Sequence, residues 1–484
     1  MKKVFTYILP LVLVMMMFSC EDTESFSTNE ALRLSFSEDT VSFDTVISTV
    51  MSSTKRVMIF NNNKEGLRVT SARLASGGAS GFRINVDGRK GPVVNDIEVL
   101  KEDSIFMLVE VKTDVTNSVE PVVVRDSVLF TLESGVVQKL ILEAQGQDAI
   151  ILRAPRCKRG ETMVFQSGMP YLIYDSLVVD SDATVNIEAG ATLMFHSNAS
   201  ILVHGRLNIN GEKGRMATLR GDRTDRMFTY LPYDRIDAQW GGIRLYGSST
   251  NNVIRYADIH GGNYGIECDS TGTDKVKLTI ENSIITNVSG FGLWAENCKI
   301  DARNSIISNA RYDCVNVTGG EYDFVHCTIA QFYALGTYSE GNALRIANVK
   351  ELDPCALTFH MDNSIVTGFA KDEVFASRFK GNNEVAKDEA LFDLIFYNCL
   401  VTTDTIGAGE YFVDCIIDDI NGDINRKKHF KNIDTHAFMF DYHLDSLSYA
   451  CGKASNAYIT ALPNDMFGTE RKAGNVDIGA LQGE

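Results

Sequence analysis

These 484 residues predict an all-β chain, with a β-sandwich in front and a solenoid of stacked strands behind it. Three observations carry that expectation. From Ala31 to about Asp148, apolar residues alternate in short runs divided by turn-forming clusters, the mark of strands rather than helices. Farther on, a motif of one polar, one small and two apolar residues recurs at a 22-residue step, a size expected of stacked repeats. Eight prolines and little helical periodicity agree with both.

The chain opens with Lys2 and Lys3, then an uncharged run from Val4 to Phe18. A helix rising about 1.5 Å per residue needs roughly 20 apolar residues to cross a bilayer, so this run predicts a secretory signal and not a spanning helix. It ends at Ser19-Cys20, and Glu21-Asp22-Thr23-Glu24 follows. The small residue before a cysteine resembles a bacterial lipoprotein signal, and the acidic run resembles the surface-export signal of Bacteroidetes-type bacteria. The resemblance implies a signal peptide over 1–19, lipid on Cys20, an acidic tether over 20–30, and anchoring through membrane lipid at the exposed side of the outer membrane. Such lipidation supplies more than one acyl chain, which stable anchoring requires.

Net charge is −17 without a basic stripe. Phosphate backbones and anionic lipid heads demand clustered Lys and Arg, so nucleic acid is excluded as a partner. Ten cysteines include Cys20, leaving an odd nine. No CxxC pair and no Cys/His comb is present, so no metal cluster is predicted. The expectation is small thiols packed in a core.

Residues 31–150 carry the first strand series, including Val41-Ser42-Phe43-Asp44-Thr45-Val46, Arg56-Val57-Met58-Ile59-Phe60 and Ser104 to Val111. Asn61-Asn62-Asn63 and Ser76-Gly77-Gly78 separate such runs, which predicts an antiparallel β-sandwich. The order of these strands resembles the immunoglobulin-like spacer domains of cell-surface proteins. That implies a spacer, or a docking module for another outer-membrane protein.

The repeat reads Asn282-Ser283-Ile284-Ile285, Asn304-Ser305-Ile306-Ile307, His326-Cys327-Thr328-Ile329, Asn363-Ser364-Ile365-Val366, Asn398-Cys399-Leu400-Val401 and Asp414-Cys415-Ile416-Ile417. Two and four residues before each polar position stand apolar pairs such as Ile280 with Leu278 and Phe324 with Tyr322, so strands enter with those side chains inward. The two adjacent apolar residues after it predict a bend. Stacked polar residues would form a ladder, as asparagines do in stacked sheets, and Ser or Cys in the next place would be selected for small size. The pattern resembles the right-handed parallel β-helix of the pectate-lyase-like superfamily, as do residues 182–214, with Gly190 and Gly205 at turns, and "WGGI" from Trp240. Residues 463–481 resemble a C-terminal cap of bacterial surface β-helices. The resemblance covers 165–484 and completes the predicted architecture, an N-terminal β-sandwich followed by a right-handed parallel β-helix solenoid.

A ligand site, if the chain has one, is expected at one interruption, "RGDRTDRMFTYLPYDRIDAQWGGIR", residues 220–244. Aromatic faces with convergent charged groups suit a saccharide, whose rings stack while its hydroxyls seek polar partners. The candidate ligand residues are Arg220, Asp222, Arg223, Tyr230, Tyr233, Asp234, Arg235 and Trp240, with Arg255 and His260 from the neighbouring repeat. The competing reading is a solvated loop whose Asp and Arg side chains pair with one another.

Two functions follow. The first is a non-catalytic surface lipoprotein whose β-helical rod binds or presents to extracellular polysaccharide, without a cofactor. The second is a polysaccharide lyase acting on uronate-containing glycans, with a basic residue as proton acceptor and calcium against the substrate acid; Arg255, Asp258, His260 and Glu267 offer the residue types. A glycoside hydrolase stands behind the lyase and would use two carboxylates, nominally Asp222 and Asp234. The fold class by itself names no reaction.

Overall fold

The computed structural model describes residues 25–336, 340–350, 353–378, 392–404, 410–418 and 426–483. The signal segment, Cys20 and the acidic run 21–24 lie outside the described residues. The chain separates into two compact units between Gln147 and Asp148. Both are built of strands, and no α-helix occurs among the described residues.

In the first unit two five-stranded sheets enclose one core. Alternation does the work: in Arg56-Val57-Met58-Ile59-Phe60, Val57 and Ile59 are fully buried, and in Ser104–Val111 so are Met107, Val109 and Val111. One pairing departs from the antiparallel expectation. Thr40–Ile47 runs parallel to Val137–Gln147, a register that local hairpins cannot produce because it joins strands distant in sequence.

The second unit is a right-handed parallel β-helix. An 11-stranded sheet forms its first face, and a 17-stranded sheet folds into the second and third. The fold line is visible in Leu293–Arg303: Leu293, Trp294 and Ala295 pair with Ile266–Cys268, whereas Ile300 to Arg303 pair with the end of Gly272–Glu281. Asn297, at φ 40°, turns the chain between the two. On the third face Ile280, Ala302, Phe324, Met361 and Phe396 stand in register and are buried, as the period-two pattern predicts. Glycine admits the tightest approaches; a Cβ on Gly205 would lie 2.3 Å from the Ala183 carbonyl oxygen.

The repeated polar position has a backbone cause. Tyr256, Asn282, Asn304, His326, Asn363, Asn398 and Asp414 all adopt positive φ, between 44° and 53°, at the corner from third face to first. Asn and Asp tolerate that left-handed conformation better than most side chains. The expected ladder exists in pieces: Asn304 Nδ2 donates to Asn282 Oδ1 at 3.1 Å, and Asn363 Nδ2 to His326 Nε2 at 3.1 Å.

Small size is not the whole account of the following column. Ser305 Oγ donates to the Arg303 carbonyl at 2.7 Å and accepts from the Ser283 N–H at 3.2 Å. Ser364 Oγ likewise donates to Asp362 and accepts from Cys327 N–H at 2.9 Å. Cys399 and Cys415 make the weaker sulfur versions of these bonds. The column is selected for a side chain that both donates and accepts, since a corner N–H left bare in the core is costly. Of the nine described thiols, Cys157, Cys268, Cys298, Cys314, Cys327 and Cys399 are buried.

The two apolar residues after each corner divide their duties. Ile285, Ile307, Ile329, Val366 and Val401 enter the solenoid core. Ile306, Ile365 and Leu400 point outward on the first face, beneath Phe430, Tyr442, Leu444, Met466, Ile478 and Leu481. The C-terminal segment therefore lies along the side of the rungs, covering an apolar sheet face. Its contacts begin at Met216 and reach Ile416.

Candidate functional site

The interruption leaves the first face after Ala217–Gly221 and rejoins the second at Gly242–Leu245. It folds as a short hairpin, Arg226–Phe228 with Leu231–Pro232, then a 3-10 turn, Tyr233–Arg235. At its base the structure joins Arg220, Asp234 and His260. Arg220 reaches Asp234 Oδ1 at 2.8 Å, and His260 Nε2 approaches the same oxygen at 3.0 Å. Asp258 takes the other ring nitrogen of His260 at 2.8 Å. Burial opposes charge on the imidazole, but Asp258 and Asp234 outweigh it and raise His260 to about 10. Burial would likewise raise Asp234, yet His260 and Arg220 hold it below its ordinary value. A cation locked between two carboxylates is a fastening and offers no proton near neutrality.

The remaining candidates are dispersed. Arg223 grips Asp225 through two bonds, 2.7 and 2.6 Å, with its guanidinium 3.7 Å from the centre of the Tyr233 ring. Asp222 pairs with His196 at 2.6 Å. Arg235 donates to the Ala437 carbonyl at 3.0 Å, and Tyr230 stacks on His436, ring centres 4.2 Å apart. Arg255 faces Glu281 at 2.6 Å on the third face, away from the interruption. Trp240 is fully buried, stacked on Phe195 at 4.5 Å, with its indole N–H donating to the His260 carbonyl at 2.8 Å. It presents no ring face to a ligand. The nominal hydrolase carboxylates, Asp222 and Asp234, both carry imidazole partners, so neither projects freely. Asp237 is also enclosed; burial raises it, and the Tyr333 hydroxyl at 2.7 Å offsets this only in part.

Of the outer surface of the second face, the sequence singled out Glu267 but not the column to which it belongs. Arg244, Glu267, Trp294, Asn316, Arg345 and Phe375 occupy one register position on six successive rungs. All six project outward, because their neighbours along each strand, such as Leu293 and Ala295, are buried. Beside Glu267 stands Asp269, joined to Arg244 at 3.2 Å, and beside Trp294 stands Glu296, joined to Lys350. Arg345 lies 4.3 Å from the centre of the Phe375 ring and bonds Asp313 at 2.8 Å; Asp313 also accepts from Asn316 Nδ2 at 2.7 Å. At the adjoining corner Tyr264, Phe291 and Tyr312 follow one another at 6.5 and 5.4 Å. Burial raises the Glu267 carboxyl, with Arg244 opposing. The available signal was parity: Trp294 sits between two residues whose counterparts in neighbouring repeats are aliphatic or small.

Among the described residues no group of three or more His, Cys, Asp or Glu side chains is arranged to hold a metal. The donors a calcium-dependent lyase would need do not converge there; Asp258 is committed to His260, and Glu267 lies on another face.

Residues 234–349, which hold this surface from Arg244 to Arg345, match the family model for a right-handed β-helix region. Among solved structures, a family 123 glycoside hydrolase from Clostridium perfringens aligns at 9% identity over 28% of this chain and 30% of its own, with a TM-score of 0.18. This chain thus spans under a third of that hydrolase. The catalytic unit of a GH87 α-1,3-glucanase from Streptomyces thermodiastaticus aligns at 10% identity over 75% of this chain and 88% of its own, with a TM-score of 0.26. No curated protein matches the chain.

Proposed function

We propose that the solenoid binds an extended polysaccharide along the outer surface of its second face. The observation that carries this reading is the register column from Arg244 to Phe375, which sets aromatic and hydrogen-bonding side chains on successive rungs. Stacked strands repeat about every 4.8 Å, so a linear polymer lying across them meets the same surface again and again. Trp294 is the stacking platform, and Glu267, Asn316 and Asp269 are the hydroxyl partners. Arg244 is matched by Asp269, Arg345 by Asp313 and Lys350 by Glu296. With its cations so engaged, the face suits neutral glycans better than uronates.

The wider reading is a lipoprotein held to the outer membrane through Cys20, with an immunoglobulin-like spacer and a pectate-lyase-like β-helix. An outer-membrane partner for the spacer belongs to the same proposal. Glycoside hydrolysis is the second reading, favoured by one fact: the raised carboxyl of Glu267 stands one rung from Trp294. Burial strengthens the hold of that carboxyl on its proton, the direction in which a general acid is tuned.

Affinity electrophoresis of residues 26–484 in neutral and uronate polysaccharides tests both. Retardation by a neutral glycan, weakened roughly tenfold by Trp294→Ala with the far-UV spectrum unchanged, is expected for a lost stacking contact. Equal retardation of the variant, or none of the wild type by any polymer, rejects the surface. New reducing ends lost in Glu267→Gln would replace binding with hydrolysis.

A further inference from the structure

The Ser and Cys corner column ends in its only two consecutive cysteines, Cys399 and Cys415. They stand in register: Leu400 pairs with Ile416, and the Ile416 N–H donates to the Cys399 carbonyl at 2.8 Å. In-register neighbours on parallel strands lie about 4.8 Å apart, within the ~4.4–6.8 Å Cα separation that a disulfide spans. Cys415 Sγ leans onto the preceding rung, 3.4 Å from the Cys399 nitrogen and 3.4 Å from the Phe396 carbonyl. Cys399 Sγ leans the same way, toward Ser364 N at 3.5 Å, so bonding asks it to turn back and give up a weak sulfur contact.

The position makes such a bond useful. Among the described residues the last rung contributes Phe412–Val413 and Ile416–Ile417, two-residue strands with little pairing of their own. A terminal rung is paired on one side only, so it is held less firmly than a rung with two neighbours. Cys415 is half-buried while Cys399 is fully buried, so an exchange partner reaches one sulfur and not the other.

We propose that Cys399 and Cys415 close into a disulfide that clips the final rung to the one before it. The oxidant is a small-molecule disulfide such as oxidised glutathione. The Cys415 thiolate attacks one of its sulfurs, forming a mixed disulfide and expelling one thiolate. The Cys399 thiol loses its proton and attacks the Cys415 sulfur, expelling the second. Two electrons pass to the oxidant, and the protein loses two protons. A hydrogen bond from Cys399 holds the Cys415 thiol below its ordinary value, which suits it to the first attack.

The test uses the full chain equilibrated with oxidised and reduced glutathione, then denatured and alkylated. Trypsin releases residues 388–426 as one peptide holding both cysteines, and cleavage after Glu410 divides it between them. The expected result is an unalkylated peptide lighter by two hydrogens, whose two fragments stay joined until reduced. Serine already occupies this column at Ser283, Ser305 and Ser364, so Cys399→Ser with Cys415→Ser keeps the corner hydrogen bonds. Oxidised wild type should melt several degrees above that double variant, and reduced wild type with it. Alkylation of both thiols after equilibration, or joining of either to a different cysteine, overturns the proposal.

Discussion

The guanidinium of Arg471 donates to Asn304 Oδ1 at 2.8 Å, fastening the C-terminal segment to a corner of the solenoid. The arginine is 2% exposed, and it also donates to the Leu462 carbonyl at 3.1 Å. Burial lowers it to about 10, with Asp465 and Asp477 opposing, so it is still charged at neutrality. Asn304 in turn donates to the Asn464 carbonyl at 3.0 Å, and one rung pair onward Asn363 exchanges bonds with Ser455 at 2.9 and 2.8 Å. The corner asparagines thus turn the backbone and hold the segment that covers the first face.

Arg471→Met should loosen that cover. It strands several buried acceptors, each costing about 1–3 kcal/mol, and Arg471→Lys should not restore them because an ammonium lacks the planar fork. Thermal unfolding should fall in both variants, and limited proteolysis should release residues 426–483 before the rungs are cut. Equal protease resistance would reject the fastening.

The corner conformation separates substitutions that composition would treat alike. At Asn398, φ 50°, replacement by Gly should change stability by under about 1 kcal/mol, whereas Val should cost roughly 1–2 kcal/mol or more. Chemical denaturation of the pair measures the difference. If valine proves as stable as glycine, backbone strain does not explain the column.

Two histidines give stability opposite dependences on pH. His326 Nδ1 donates to the Gly479 carbonyl at 3.3 Å while its other nitrogen accepts from Asn363. Burial, aided by Arg471, lowers it from 6.5 to about 3. Its contribution is present above pH 6.5, where the unfolded imidazole is neutral too, and is lost as pH falls toward 3. His260, raised to about 10, contributes fully below 6.5 and loses that contribution as pH rises through 10. Melting curves across pH should flatten on the acid side in His326→Asn and on the alkaline side in His260→Gln. Unchanged slopes would rule out these titrations.

The two tryptophans should answer differently to the same change. Trp240→Ala opens a cavity beside Phe195 and should cost about 3–5 kcal/mol. Trp294→Ala removes an outward side chain and should cost under about 1 kcal/mol while weakening glycan retardation. Paired denaturation and binding measurements distinguish them, and a large stability loss in Trp294→Ala would place that ring in the fold.

Much of this architecture is legible in the chain, because burial writes itself locally. The alternation of Leu278 with Ile280, and of Tyr322 with Phe324, states which way a strand faces without reference to anything distant. The 22-residue return of Asn282 and Asn304 states that the strands stack. Neither tells what lies against the outside. Ile306 and Ile365 look like core residues and do meet a core, but one supplied by Tyr442 and Ile478 from the far end of the chain. Trp240 and Trp294 are the only tryptophans, and the sequence marks the first, beside its charged loop, as the more inviting. Tertiary structure reverses them: Trp240, bridged to Gly262, packs inward against Phe195, while strand parity sends Trp294 out. Local pattern determined strands, corners and repeat, since each depends on residues close in sequence. Which surface is covered, which ion pairs close and which ring stays exposed depends on segments hundreds of positions apart, and only the folded chain brings those together.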